Sequence, residues 1–247
     1  MGNSRRQSGD ARIILAFDSS GAACSAALWA DGAIAARRLE PMRRGQAERL
    51  MPMILATMAE ARRGFPDLDL IAVTVGPGSF TGLRVGLAAA RGLALAGDVP
   101  AAGVTTFDAA LEALPLAATA GRAVAIALDS KRGDLFAQFY DRERRPLAGP
   151  LILAPAALRA AAPPGPLYVG GDGAALAAAH LAAGDDVVLG PPETCIDAAH
   201  LASLAARREL AAMLAPVPLY LRPADVTAPA RAAGAASPAA ERRRPDG

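Results

Sequence analysis

Short apolar runs alternate with amphipathic segments through the first 114 residues of the chain. Apolar runs bounded by turn residues are typical of buried strands, and apolar positions three and four residues apart are typical of helices. Strands are predicted at residues 12–17, 24–29, 33–39 and 70–75 and in a run ending near Val104, and helices at residues 46–62, 80–96 and 105–114. Asp31-Gly32 predicts a hairpin turn between two of the strands. Strands and helices in this order predict an α/β lobe.

The second half of the chain begins with the same pattern as the first. An apolar run ends in Asp129-Ser130 and leads through a glycine-containing turn into another strand, as an earlier run does at Asp18-Ser19. Such self-similarity predicts a duplicated α/β lobe. Further strands are predicted at residues 123–128, 135–140 and 167–169, and helices at residues 173–182 and 198–214. We expect a disordered N-terminus at residues 1–11, lobes at 12–118 and 119–225, and a disordered Ala/Pro/Arg-rich tail at 226–247.

The composition excludes two classes of protein. With 53% hydrophobic residues, the 247-residue chain has enough apolar surface to exclude disorder as its main state. The longest stretch without a charge has 14 residues, whereas a transmembrane helix needs about 18 or more. The net charge of +2 lies entirely in residues 231–247, so no basic groove for nucleic acid is expected.

The cysteines and histidines indicate no metal or cofactor chemistry. Cys24 and Cys195 form no CxxC pair, so we expect reduced thiols and a cytoplasmic protein. His180 and His200 lie 20 residues apart in alanine-rich segments, without a carboxylate or cysteine at ligand spacing. We therefore expect no metal site, no cofactor and no Ser–His or Cys–His nucleophile pair.

Loops that follow strands carry the candidate ligand-binding residues. A strand-end Asp followed by hydroxyls and a tight turn binds a phosphate or a magnesium-bound water, or else only its own backbone. The Gly-Gly-Asp-Gly segment at residues 170–173 either admits a ligand to the backbone or makes a tight turn. Both alternatives stay open for a vestigial nucleotide cleft that would contain Asp18, Ser19, Ser20, Asp129, Gly133, Gly171 and Gly173.

The loop at residues 76–82 resembles three known motifs and satisfies none of them. It lacks the lysine of a P-loop, the spacing of a dinucleotide fingerprint, and the first glycine of a nucleophile elbow. It either holds an anion at a helix N-terminus or caps the helix through Ser79 or Thr81. The helix that follows carries a stripe of small residues, Gly82, Gly86 and Ala90, against which another helix or a sheet is expected to pack. The methionine-rich helix at 46–62 is the favoured neighbour.

Several segments, taken in order, resemble the TsaB (YeaZ) family. They are residues 14–28 (ILAFDSSGAACSAAL), 46–54 (QAERLMPMI), 71–96 (IAVTVGPGSFTGLRVGLAAARGLALA), 103–109 (GVTTFDA) and 128–140 (LDSKRGDLFAQFY). The VGPGSFTGLRVG segment is the most specific of these. Residues 170–173 and Tyr220-Leu221-Arg222 fit more loosely.

This resemblance implies two duplicated α/β lobes of the actin/Hsp70-type ATPase (ASKHA, RNase H-like) fold. It also implies a non-catalytic subunit for making threonylcarbamoyladenosine beside the tRNA anticodon. The subunit would pair with the catalytic TsaD, with the ATPase TsaE docking on the pair and tRNA bound through the complex. A homodimer is expected when the subunit is isolated.

The resemblance also implies which residues contact the partner. TsaD binds metal through a His-x-x-x-His motif, whereas the corresponding region here, about residues 105–112, has no histidine. This difference favours a scaffold. The partner surface would be formed by the two first-lobe helices, through Leu50, Met51, Ile54, Leu55, Met58, Arg84, Leu87 and Arg91.

Two other functions remain as alternatives. An ATPase or phosphotransferase of the same fold would use Asp18, Asp129 and the turn at Gly171 with magnesium. A peptidase is the third hypothesis, but the sequence offers it neither a nucleophile–base pair nor metal ligands.

Overall fold

Two five-stranded sheets with the same strand order form the frame of the molecule. The computed structural model describes residues 12–182, 186–191 and 195–222. The first sheet, in the order β3-β2-β1-β4-β5, contains β1 (Ile14–Asp18), β2 (Ala23–Ala30), β3 (Ala33–Pro41), β4 (Leu70–Gly76) and β5 (Ala101–Thr105). The second, in the order β10-β9-β6-β7-β8, contains β6 (Ala123–Asp129), β7 (Leu135–Tyr140), β8 (Leu151–Leu153), β9 (Leu167–Gly170) and β10 (Val187–Leu189).

The two sheets have equivalent topology when they are followed from their central strands. β1 and β6 each pair antiparallel with the next strand along the chain and parallel with β4 and β9, respectively. The third strand of each half extends the antiparallel edge, and the fifth extends the parallel edge. This repetition confirms the predicted fold class, two duplicated α/β lobes of the ASKHA type.

Seven α-helices cover these sheets in the described part of the chain. They are α1 (Gln46–Glu60), α2 (Phe80–Gly97), α3 (Thr106–Ala113), α4 (Leu116–Thr119), α5 (Leu158–Ala161), α6 (Ala174–Ala178) and α7 (Ala198–Arg207). Short 3₁₀ turns occur at Phe65–Asp67, Pro155–Ala157 and Leu210–Ala212. Among the helices of the described ranges, none has the length and apolar character needed to cross a membrane.

The core has three layers because both faces of each central strand are apolar. In β1, Ile14 and Ala16 belong to one buried cluster, whereas Leu15 and Phe17 belong to another, as the two-residue period of a strand requires. The first cluster joins the two sheets through α3 and α7. The second lies under α1 and α2, and a third covers the opposite face of the second sheet under α5 and α6.

The last helix differs from its prediction in both length and place. It ends at Arg207 instead of residue 214, because Arg208 is extended (φ −103°, ψ 142°) and its guanidinium binds Asp108 at 2.9 Å. It packs on β1, β2 and β3 of the first sheet, although residues 119–225 were predicted to form the second lobe. Its buried apolar stripe fits that sheet, and Asp197, which caps it, pairs with Arg37 of β3.

Two other helices were predicted to end later than they do in the structure, and two predicted segments lie outside the described ranges. The helix predicted to reach residue 182 ends at Ala178, and α1 ends at Glu60 instead of residue 62. Residues 1–11 and 226–247, predicted to be disordered, lie outside the described residues.

Candidate interlobe cavity and exposed helix faces

A cavity of about 1120 Å³ opens between the two lobes. Its first wall comes from the loops after β1, β3 and β4 and from the C-terminal strap, which we define as residues 213–222. Its second wall comes from the loops after β6 and β9 and from Phe136 of β7. Phe80 and Tyr220 stack on the first wall with their ring centroids 4.8 Å apart. Aromatic rings therefore face the cavity from both walls.

Asp18 is buried in the first lobe and does not line this cavity. Its Oδ1 accepts hydrogen bonds from the backbone N–H of Ser20 (3.1 Å), the hydroxyl of Ser20 (2.6 Å) and the hydroxyl of Thr74. Its Oδ2 is buried with no hydrogen-bond partner among the described residues. Burial raises the pKa of Asp18, although the hydrogen bonds from Ser20 and Thr74 act to lower it. The Asp18 carboxylate thus holds the turn after β1 together and is shielded from the cavity.

Ser19 and Ser20 are also buried, and only Ser20 of these two lines the cavity. The Ser19 hydroxyl donates to the carbonyl of Gly82 at 2.9 Å. The Ser20 carbonyl accepts from the backbone N–H of Ser79 at 2.8 Å. The turn after β1 therefore binds the start of α2 with its polar groups.

Asp129, by contrast, faces the cavity, but a lysine already pairs with it. Lys131 Nζ lies 3.0 Å from Asp129 Oδ2 and 3.1 Å from Asp172 Oδ2. Burial lowers the pKa of Lys131, but hydrogen bonds and charge from the two carboxylates outweigh it, and the pKa is raised. The ammonium therefore stays charged and neutralises part of this wall.

The glycines predicted for the second-lobe cleft make a tight turn. A Cβ on Gly171 (φ +100°) would lie 2.1 Å from the carbonyl oxygen of Ala127, and one on Gly173 would lie 2.7 Å from the side chain of Leu135. Gly171 and Gly173 therefore pack against β6 and β7 so closely that neither position has room for a side chain. Gly133 (φ +84°) lies in an open turn, where a Cβ would have no neighbouring atom within 4 Å among the described residues.

The loop at residues 76–82 serves as a helix cap through Ser79. Its hydroxyl accepts the N–H of Gly82 at 2.9 Å, the usual geometry of an N-cap. The small-residue stripe was predicted to pack on the helix at 46–62, and this was wrong. A Cβ on Gly82 would meet the Ser19 carbonyl oxygen at 2.0 Å, and one on Gly86 would meet Val73 at 3.4 Å. Gly82 and Gly86 therefore face the first sheet and the turn after β1.

The eight residues predicted for the partner surface divide into two groups. Leu50, Ile54, Met58 and Leu87 are buried in the core beneath α1 and α2, so a partner docking on this fold does not reach them. This corrects the predicted set, because these positions form the inward face of the helices. The exposed members are Met51, Leu55, Arg84 and Arg91.

The outward faces of α1 and α2 carry three exposed apolar side chains, one of which lies outside the predicted set. Met51 and Leu55 are 36% and 52% exposed on α1, and Leu95 is 87% exposed on α2. Leu95 follows Arg84 and Arg91 at helical spacing, so the three share one face. The strap borders this face: Arg84 Nε donates to the Tyr220 hydroxyl (3.2 Å), and Arg91 donates to the Pro216 carbonyl (2.7 Å).

Comparison with known proteins assigns the chain to a protein family. The model of the family described as "TsaD: tRNA N6-adenosine threonylcarbamoyltransferase" matches residues 40–182. The chain belongs to this family. The match includes α1, α2 and the second-lobe turn with Lys131.

Within the TsaD family, the relatives that carry the TsaB or YeaZ name are the informative ones. The tRNA threonylcarbamoyladenosine biosynthesis protein TsaB of Escherichia coli is 35% identical over 130 residues, 53% of this chain and 55% of the relative. The Haemophilus influenzae protein of the same name is 34% identical over 131 residues, with the same coverage. The solved structure of YeaZ from Pseudomonas aeruginosa, 26% identical, covers 85% of this chain and 100% of its own, with a TM-score of 0.72. The resemblance to TsaB (YeaZ) is confirmed, and the chain spans about half the length of the curated relatives it matches.

Three site residues were missed by sequence reasoning. Lys131 stands out in the sequence as the single lysine of the chain. Its pairing with Asp129 and Asp172 could not be predicted, because it depends on how two loops pack in the folded protein. Asp172 lies inside the glycine-rich segment at residues 170–173, from which only Gly171 and Gly173 were predicted as site residues. Leu95 was counted within an apolar helix, and its outward direction follows from the helical phase set by Gly82 and Gly86.

Proposed function

We propose that this chain is a non-catalytic subunit that pairs with a catalytic TsaD transferase and supports threonylcarbamoyl transfer to tRNA. The observation that carries the proposal is the 35% and 34% identity to TsaB proteins of two bacteria, in a chain whose helices α1 and α2 present an exposed face. Large apolar side chains on that face are typical of a protein–protein interface. The transfer chemistry would belong to the partner.

The state of the cavity supports the non-catalytic part of this proposal. A cleft that positions magnesium and phosphate needs carboxylates that are exposed and available. Asp18 is fully buried, and Asp129 and Asp172 are paired with Lys131. The alternative of an ATPase or phosphotransferase, for which the nucleotide cleft was predicted, thus has weaker support. Magnesium-dependent ATP hydrolysis by the isolated chain would favour that alternative.

The proposed partner surface consists of Met51, Leu55, Arg84, Arg91 and Leu95. It combines apolar side chains with two arginines, a composition found at interface centres. We also propose that the isolated chain dimerises through this face, since two copies can bury it against each other. The docking of TsaE on the pair, the binding of tRNA through the complex, and a cytoplasmic location complete the proposal.

Introduction of a negative charge on this face provides the test. Leu55→Asp and Leu95→Asp should each weaken binding to the TsaD of the same organism by about tenfold or more, measured by titration calorimetry, because a buried unpaired carboxylate is costly. Neither change should lower the unfolding temperature by more than a few degrees, since both side chains are exposed.

Leu147→Asp is the matched control for Leu55→Asp. Leu147 is 51% exposed and lies between β7 and β8 in the second lobe, whereas Leu55 is 52% exposed on α1. The control should bind like the wild type. The proposed surface would be contradicted if Leu147→Asp lost as much affinity as Leu55→Asp. It would also be contradicted if neither Leu55→Asp nor Leu95→Asp lost affinity.

A further inference from the structure

Two exposed arginines lie on α2, a helix that contains neither aspartate nor glutamate. Arg84 Nε donates to the Tyr220 hydroxyl at 3.2 Å. Arg91 donates from Nε and Nη2 to the Pro216 carbonyl, at 3.0 and 2.7 Å. Neither guanidinium forms an ion pair with a carboxylate of the described residues. Both positive charges therefore meet only neutral oxygens of the strap.

The strap holds these two guanidinium groups in place without neutralising them. Arg91 makes two hydrogen bonds to one carbonyl, and Arg84 lies over the Phe80 ring, 5.6 Å from its centroid. The strap is itself fixed to the first sheet, since the N–H of Leu219 donates to the Val75 carbonyl at 2.7 Å. Side chains that are ordered before binding lose less entropy on association. Because a guanidinium has five N–H donors, each arginine keeps donors for a carboxylate.

The spacing of the two arginines defines what they can bind. They are seven residues apart, which places them on one face of α2 at a separation of about 10 Å along its axis. Ala88 lies between them on the exposed side of the helix, and Leu95 extends the same face by one turn. The small side chain of Ala88 leaves room for a partner to approach the helix closely. This face thus fits an acidic surface with two carboxylates about 10 Å apart, such as a helix with acids two turns apart.

We propose that Arg84 and Arg91 select the partner of the α1–α2 face by charge. They bind two carboxylates of the transferase through charge-assisted hydrogen bonds, and they oppose pairing with a second copy of this chain. A two-fold dimer through this face would bring four arginines together without an acid from either α2, and like charges repel. The proposal rests on the proposed function, since it concerns the same face.

The test measures two equilibria of the full chain at about 50 mM and about 500 mM NaCl. Binding to the TsaD of the same organism is followed by titration calorimetry, and self-association by sedimentation equilibrium. Arg84→Gln and Arg91→Gln should each weaken TsaD binding about fivefold or more at the low salt concentration, and less at the high one, because salt screens ion pairs. The same variants should self-associate as tightly as the wild type or more tightly, since each removes a repelling charge.

Arg142→Gln is the matched control. Arg142 is exposed and lies between β7 and β8 in the second lobe, so the substitution removes the same charge away from the α1–α2 face. It should leave both equilibria as they are in the wild type. Arg84→Lys and Arg91→Lys keep the charge and should lose less affinity for TsaD than the glutamine variants.

Three results would overturn this proposal alone, for variants that circular dichroism shows to be folded. One is full TsaD affinity in both glutamine variants. Another is a loss that is equal at both salt concentrations, which would indicate altered packing of the strap instead of lost charge. The third is a loss of self-association that matches the loss of TsaD binding. A wild type that does not bind TsaD would overturn the proposed function as well.

Discussion

At the scale of single residues, Asp18 shows how an apparently functional position becomes a structural one. An aspartate after an apolar strand followed by two serines predicted either a ligand-binding loop or a self-bonded turn. Its three hydrogen bonds from Ser20 and Thr74 support the second interpretation. The sequence could not decide between them, because the burial of Asp18 depends on α2 packing against the turn after β1.

The raised pKa of Asp18 predicts a pH-dependent stability. Above the ordinary aspartate pKa of about 3.9, the unfolded chain loses this proton before the folded chain does. Folding therefore binds a proton in that window, and the free energy of unfolding falls as the pH rises toward the folded-state pKa. Asp18→Asn has no ionisable group at this position, so its free energy of unfolding should lack this dependence on pH.

Urea unfolding of the wild type and Asp18→Asn between pH 4 and pH 8 tests this expectation, and the stability of the variant relative to the wild type should rise with pH. A constant difference between Asp18→Asn and the wild type across this range would contradict the expected ionisation.

At the scale of elements, α2 shows why a small-residue stripe does not name its neighbour. Gly82, Gly86 and Ala90 at four-residue spacing correctly predicted a close approach, but several elements could have filled it. The neighbours are the turn after β1 and strand β4, since the cap at Ser79 sets the phase of the helix. Similarly, the apolar stripe of α7 predicted a helix but not the sheet on which it packs.

Two glycines of α2 therefore differ sharply in their tolerance of a side chain. Gly82→Ala should destabilise the protein by about 3 kcal/mol or more, because its Cβ would overlap the Ser19 carbonyl oxygen. Gly92→Ala in the same helix, where a Cβ would have no neighbour within 4 Å in the described ranges apart from its own helix backbone, should stabilise it by about 0.5–1 kcal/mol through helix propensity. Denaturant unfolding measures both values. Similar effects of the two substitutions would show that α2 does not pack on the turn as described.

At the scale of the whole molecule, the duplication was predictable and the joining of the lobes was not. The repeated strand–Asp-Ser–turn–strand pattern lies within each half, so it appears in the sequence. The shared core, in contrast, is formed by α3 and α7 between two sheets that are distant in sequence. The cavity also arises only when the lobes come together, because the strap lies on its first wall and Lys131 and Asp172 lie on its second.

The proposed role of this chain is that of a partner subunit, with an exposed α1–α2 face and a cavity in which Asp129 and Asp172 are both paired with Lys131. Gel filtration with light scattering, on the chain alone and mixed with the TsaD of the same organism, tests that role most directly. We predict a stable complex with the summed mass of one copy of each chain. Two separate peaks with unchanged masses, at concentrations well above micromolar, would contradict the proposed role.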